Sequence, residues 1–114
     1  MSHRWHILRA DGGLTLARHL PPRFDFSVRT TLGPGNAVRL AHQVRQDLWR
    51  ALQNLRGFSP VVRLTPCGSG WALTAGGRAL GNVTDTHLSL ARNVLENPEN
   101  RARWSRHAGG GRTQ

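Results

Sequence analysis

Arginines and a tryptophan spaced along one predicted helix are the residues of this sequence best suited to bind a ligand. They are Arg39, Arg45, Trp49, Arg50 and Arg56. Guanidinium groups bind phosphate oxygens, and an aromatic ring offers a nucleic-acid base a surface for stacking. The pattern therefore favours contact with nucleic acid. It is also typical of a solvated helix face whose tryptophan covers the edge of a sheet, and both interpretations stay open.

A second group of the same composition lies near the C-terminus. Arg101, Arg103, Trp104 and Arg106 fall on a short predicted helix, and basic terminal segments often bind phosphate backbones. The alternative is a terminal helix that packs Trp104 into the core and leaves its arginines in water. The nucleic-acid hypothesis gains most if both groups form one continuous positive surface beside an exposed tryptophan.

The turn that precedes the long predicted helix is a candidate anion site. It contains Gly33, Gly35 and Asn36, and the N–H groups and positive dipole end of a helix N-terminus suit an anion. The turn has no lysine after its last glycine and lacks the GxGxxG spacing, so it matches neither common nucleotide loop. Ordinary capping of the helix by Asn36 is the simpler interpretation.

Catalytic and metal-binding motifs are missing from the sequence. Cys67 is the only cysteine, and a nucleophilic thiol needs a neighbouring base that sequence alone does not place. The histidines are dispersed. His3 and His6 are three residues apart, and side chains with that spacing point to opposite sides of a strand. We therefore predict no catalytic residue, no metal site and no cofactor, and we favour a protein that is not an enzyme.

The balance of charge favours a polyanionic partner. Sixteen basic residues, all of them arginine, face six acids, and the formal net charge is +10. A GC-rich genome is the simplest explanation for arginine in place of lysine, although arginine also suits phosphate geometry better than lysine does. Codon bias does not explain why acids are so few. The excess positive charge is therefore an argument for an acidic partner in its own right.

Alternating and helical hydrophobic patterns predict the elements that must position these residues. The predicted strands are Trp5–Ala10, Leu14–Leu20, Arg23–Leu32, Val61–Thr65 and Trp71–Ala75, with a further short strand at Arg78–Leu80. Within Arg23–Leu32, the expected buried face is Phe24, Phe26, Val28, Thr30 and Leu32.

Helix signals follow the strands in two places. A long helix is predicted from Ala37 to about Arg56, a second is capped by Thr84 or Asp85, and a third begins at Asn97-Pro98. The resulting ββ-β-α-ββ-α order predicts an α+β fold in which one long and one or two short helices pack on one face of a small antiparallel sheet. We assign this domain to residues 1–108 and a flexible tail to residues 109–114.

These features together predict a small basic module that binds RNA or DNA, or belongs to a nucleoprotein, through the arginines of the long helix and the C-terminal segment. The alternative is a non-enzymatic adaptor that binds an acidic protein, or self-associates, through an exposed tryptophan. No stretch is apolar enough to span a membrane, and one lone cysteine fits the reducing cytoplasm. The oligomeric state does not follow from the sequence.

Overall fold

Five strands and three helices follow one another along residues 4–109, the part of the chain that the computed structural model describes. In chain order they are β1 (His6–Ala10), β2 (Gly13–Ala17), β3 (Phe26–Leu32), α1 (Ala37–Leu52), β4 (Ser59–Cys67), β5 (Gly70–Arg78), α2 (Asp85–Glu96) and α3 (Pro98–Ala108). The strands form one sheet in the order β1-β2-β4-β5-β3, and every neighbouring pair is antiparallel. The predicted α+β fold is confirmed.

The β1–β2 hairpin closes through a two-residue turn at Asp11 and Gly12. Both residues have positive φ, 53° and 80°, as the turns that match strand twist require. This turn pairs His6 with Ala17 and Ala10 with Gly13. The turn therefore sets the register of the hairpin. This register determines which residues lie opposite each other just beyond the end of the hairpin that is away from the turn.

Strand β3 has the predicted alternation, but it begins later than predicted. Phe26 and Val28 are buried, Ser27, Arg29 and Thr31 are exposed, and Thr30 and Leu32 are partly buried. Phe24 precedes the strand, and its ring lies 5.2 Å from the guanidinium carbon of Arg63. Arg63 alternates with the core residues Val62 and Leu64, so Phe24 lies on the opposite face of the sheet from the one predicted.

Helix α1 covers the sheet with an apolar stripe and is shorter than predicted. The side-chain oxygen of Asn36 accepts the backbone N–H of Arg39 at 3.0 Å, which caps the first turn. The helix ends at Leu52, and residues 53–56 form turns. Leu55 is nevertheless buried. The turn that it belongs to is tighter than a turn of α-helix and directs its side chain into the core beneath α1.

Helices α2 and α3 are joined without a loop at Asn97. Its side chain accepts the N–H groups of Glu99 and Asn100, and Pro98 occupies the first helical position. Helix α3 packs against α1 and places Trp104 in the core with 0% of its surface exposed. None of the helices within residues 4–109 is long and apolar enough to cross a membrane.

The structure corrects one predicted strand, and some of the residues discussed above lie outside the described range. The short strand predicted at Arg78–Leu80 is wrong, because β5 runs on to Arg78 and the N–H of Leu80 then donates to the carbonyl of Arg56. Residues 110–114 of the predicted tail lie outside the described residues, as does His3.

Candidate functional site

A cleft of about 620 Å³ opens at one end of the sheet, between the second half of α1 and the adjoining ends of β1, β2 and β4. We refer to it as the α1 cleft. Its lining combines aromatic rings, two arginines and a histidine with backbone from the turn before β4. The lining residues are Trp5, Arg18, His19, Arg45, Trp49, Gly57, Phe58, Ser59 and Pro60.

Three separate pieces of local structure bring this lining together. The hairpin register pairs His6 with Ala17. Trp5 precedes His6 and Arg18 follows Ala17, so these two residues lie across from each other. Arg45 and Trp49 are one helical turn apart and therefore share the flank of α1 that faces the hairpin. Phe58 enters β4 beside the end of β2, where Ala17 pairs with Val61.

Arg45 is held in a defined orientation at the wall of the cleft. Its guanidinium carbon lies 4.4 Å from the centre of the Trp5 ring, and its Nε donates to Nδ1 of His42 at 3.3 Å. Both terminal nitrogens lack an acceptor among residues 4–109. Burial, and then the positive charge of Arg18, lowers the pKa of Arg45 from its ordinary value. The side chain is thus a positioned donor whose charge is not neutralised by the surrounding protein.

His42 supports Arg45 from the next turn of the helix. Its ring meets Trp5 edge-on, with the ring centres 6.4 Å apart. Burial, and then the charge of Arg45, lowers the pKa of His42 below its ordinary value of 6.5. The ring is therefore neutral at pH 7, as it must be to accept the Nε–H of Arg45.

Trp49 provides a flat aromatic surface on the same flank. Its ring stacks on Phe58 at an interplanar angle of 11°, with the ring centres 6.2 Å apart, and 44% of the residue is exposed. Phe58 contacts Phe26 in turn, at 5.7 Å between ring centres. Trp49 is therefore the outer member of an aromatic stack that is anchored in the core.

The cleft and its surroundings are basic. No Asp or Glu is present among the described lining residues, and Asp47 of α1 faces the opposite side, toward α3. A shallower depression of about 330 Å³ continues along α1 and is lined by Val38, Arg39, His42, Gln43 and His107. From Arg39 to Trp49 this flank extends for about 15 Å at the rise of an α-helix.

No family model, curated protein sequence or solved structure matches the chain.

The arginines predicted on the long helix do not all reach this flank. Arg45 and Trp49 line the α1 cleft, and Arg39 lines the adjoining depression. Arg50 is exposed and lies 3.6 Å from Asp47. Arg56 is exposed in the turn after α1, where its carbonyl accepts the N–H groups of Leu80 and Gly81.

The C-terminal group contributes mainly to the fold. Arg101 donates to the carbonyls of Leu95 and Thr31, so it joins α3 to the end of α2 and to strand β3. Arg103 binds both carboxylate oxygens of Asp47. The buried Trp104 offers no ring face to a ligand, and Arg106 is exposed. Arg101, Arg103 and Trp104 therefore make contacts within the protein.

The glycine turn before α1 is used by internal hydrogen bonds. The N–H of Asn36 donates to the carbonyl of Ala108, and the carbonyl of Gly35 accepts the indole N–H of Trp71 at 3.0 Å. Gly33 is exposed, with open space where a Cβ would lie. These bonds account for the conformation of the turn as a helix cap that also attaches α3 and β5.

Neither metal-ligand clusters nor a buried thiol accompany the cleft. Residues 4–109 contain no group of three or more His, Cys, Asp or Glu that could hold a metal ion. Cys67 is exposed in the β4–β5 hairpin, at the opposite end of β4 from Ser59 and Pro60, which line the cleft. The arginines and aromatic rings that line the α1 cleft suit ionic and stacking contacts.

Sequence reasoning found Arg45 and Trp49 but missed three residues that complete the cleft: Trp5, Arg18 and His19. A usable signal existed for the first two. The turn at Asp11-Gly12 implies the register of the hairpin, and that register places Trp5 across from Arg18. No signal in the sequence indicates that this end of the hairpin packs against α1.

Proposed function

We propose that the protein binds single-stranded RNA or DNA in the α1 cleft, with phosphate at the arginines and a base against Trp49. The observation that carries this proposal is the pairing of Arg45, whose terminal nitrogens have no acceptor within residues 4–109, with the half-exposed ring of Trp49 on one flank of α1. Electrostatic grooves with aromatic platforms are the usual means of holding single strands.

We expect two kinds of contact with the strand: arginines bind its phosphates, and Trp49 stacks on a base. Arg45 can donate two parallel N–H bonds to phosphate oxygens, a charge-assisted arrangement that favours a planar fork over an ammonium. Arg18 adds positive potential at the same place, as its effect on Arg45 indicates. Stacking on Trp49 contributes about 1–3 kcal/mol for each base and does not depend on base identity. Binding of this kind has little sequence preference.

The direct test is a fluorescence anisotropy titration of a labelled single-stranded oligonucleotide at low salt. We expect Arg45→Gln to weaken binding about tenfold, the equivalent of ~1.4 kcal/mol, because it removes a charge-assisted contact. Arg106→Gln, which removes an exposed arginine on α3, is the matched control and should change affinity less than twofold. Equal effects of both substitutions, or no binding by the wild-type chain, would refute the proposal.

An acidic protein partner is the second candidate, because Trp49 also has the form of an interface anchor. It is one of the large exposed hydrophobic residues, and arginines surround it as a polar rim would. A competition experiment separates the candidates. If an acidic peptide displaces the oligonucleotide only at low salt, and Trp49→Leu does not change the affinity for that peptide, the result favours nucleic acid. The single cysteine supports placing either function in the reducing cytoplasm.

A further inference from the structure

We infer that the α1 cleft is a subsite for one nucleotide, which binds its phosphate at Arg45 and its base on the outer face of Trp49. This inference rests on the proposed function but goes further: a free 5′-mononucleotide should be sufficient to occupy the site. A phosphate contact, a base contact and the size of the cleft support this inference.

On the phosphate side, the orientation of Arg45 is fixed before any ligand arrives. Trp5 lies under the plane of the guanidinium at 4.4 Å, and His42 accepts the Nε–H. Two terminal nitrogens remain, which is the number needed for a two-point contact with phosphate. Because the side chain is already ordered, little of its conformational entropy is lost on binding.

On the base side, the ring of Trp49 is supported by Phe58, and 44% of the residue is exposed. Phe58 rests in turn on Phe26. A base on the face of Trp49 away from Phe58 would extend this stack by one ring without moving any core residue. In a duplex both faces of an internal base are already stacked, so this contact selects single strands and free nucleotides.

The two sides are close enough to act on one nucleotide. Residues one helical turn apart have Cβ atoms about 5–6 Å apart, and Arg45 and Trp49 have this spacing on α1. The cleft volume, about 620 Å³, lies within the range of roughly 300–1,000 Å³ that is typical of small-molecule sites. A single nucleotide is therefore long enough to bridge the two contacts and small enough for the cleft to hold it.

Isothermal titration calorimetry of the full chain with adenosine 5′-monophosphate, adenosine and inorganic phosphate tests the inference. We expect the mononucleotide to bind at least tenfold more tightly than either component. Arg45→Gln should weaken mononucleotide and phosphate but leave adenosine unchanged. Trp49→Leu, which still covers Phe58 but lacks a flat ring, should weaken mononucleotide and adenosine but leave phosphate unchanged. Arg106→Gln is the control for general loss of charge.

The possible results separate this inference from the function on which it rests. Binding of an oligonucleotide without measurable binding of the mononucleotide would overturn the subsite and leave the proposed function standing. Failure of both ligands to bind would overturn both. Phosphate binding as tight as mononucleotide binding, with no effect of Trp49→Leu, would overturn the base contact. Thermal melts of each variant show whether a loss of binding reflects loss of the fold.

Discussion

His42 and Arg45 form a residue pair in which one member depends on the protonation state of the other. Neutral His42 accepts the Nε–H of Arg45, and an imidazolium has no lone pair with which to do so. Trp5 meets the ring edge-on, and Arg39 and His107 line the adjoining depression. All of the charged neighbours are basic, so the surroundings resist protonation of His42.

This arrangement predicts a loss of stability in mild acid. Because the folded pKa of His42 lies below its ordinary value of 6.5, the unfolded chain takes up the proton first as pH falls. The contribution to stability is complete above about pH 6.5 and declines below it. Urea unfolding of the wild type at pH 7.5 and 5.5 should show this decline, and His42→Gln should reduce it. An identical pH response in both proteins would contradict the prediction.

Glycine at position 57 provides a further test at the scale of one residue. Its φ is +67°, and an added Cβ would lie 2.6 Å from the side chain of Leu80. Gly57→Ala should therefore cost about 1–2 kcal/mol from the left-handed backbone. Gly33→Ala is the matched control, because open space surrounds that position; chemical denaturation should find it within about 1 kcal/mol of the wild type. Similar losses in both variants would show that the backbone argument is wrong.

At the scale of elements, the attachment of α3 to α1 depends on the buried carboxylate of Asp47. Arg103 binds this carboxylate at 2.7 Å, and the indole N–H of Trp104 donates to the same oxygen at 2.7 Å. Asp47 is 8% exposed, so little water is available to replace either partner. The ion pair and the hydrogen bond together fix the position of α3 along α1.

Removal of this carboxylate should be among the most damaging single changes in the protein. Asp47→Ala leaves the guanidinium of Arg103 and the indole N–H without their acceptor, and we expect a loss of about 3–5 kcal/mol. Arg50→Ala removes the exposed partner of the same carboxylate, at 3.6 Å, and should cost less than about 1 kcal/mol. Guanidinium unfolding measures both. Comparable losses would mean that the buried geometry has little energetic importance.

Asp47 also illustrates what sequence reasoning captures and what it misses. Local patterns predicted the type and order of every described strand and helix, because alternation, caps and turns act over a few residues. They give no indication of the role of Asp47, since its partners Arg103 and Trp104 lie on α3, more than fifty residues away along the chain. The end of α1 was misplaced for a similar reason: packing of Leu55 and Phe58 overrides the helical pattern.

For the whole molecule, positive charge is not confined to the α1 flank. Arg63 and Arg29 both pair with Thr74 across the sheet and are exposed on the face opposite the helices. A field with several positive regions attracts a polyanion from many directions. We expect discrimination to come from the α1 cleft, where Arg45 and the half-exposed ring of Trp49 lie together.

The salt dependence of binding distinguishes a local site from diffuse attraction to this charge. For a single strand, the slope of log K against log salt is about −0.7 for each phosphate neutralised, so contacts at Arg18, Arg39 and Arg45 predict a slope near −2. Arg45→Gln should bring the slope closer to zero by about 0.7, and Arg106→Gln should not change it. The measurement is an anisotropy titration repeated at several salt concentrations. Since the net charge is +10, contact over the whole surface would give a slope several times steeper and equal effects of both variants, and that result would rule out recognition by the cleft.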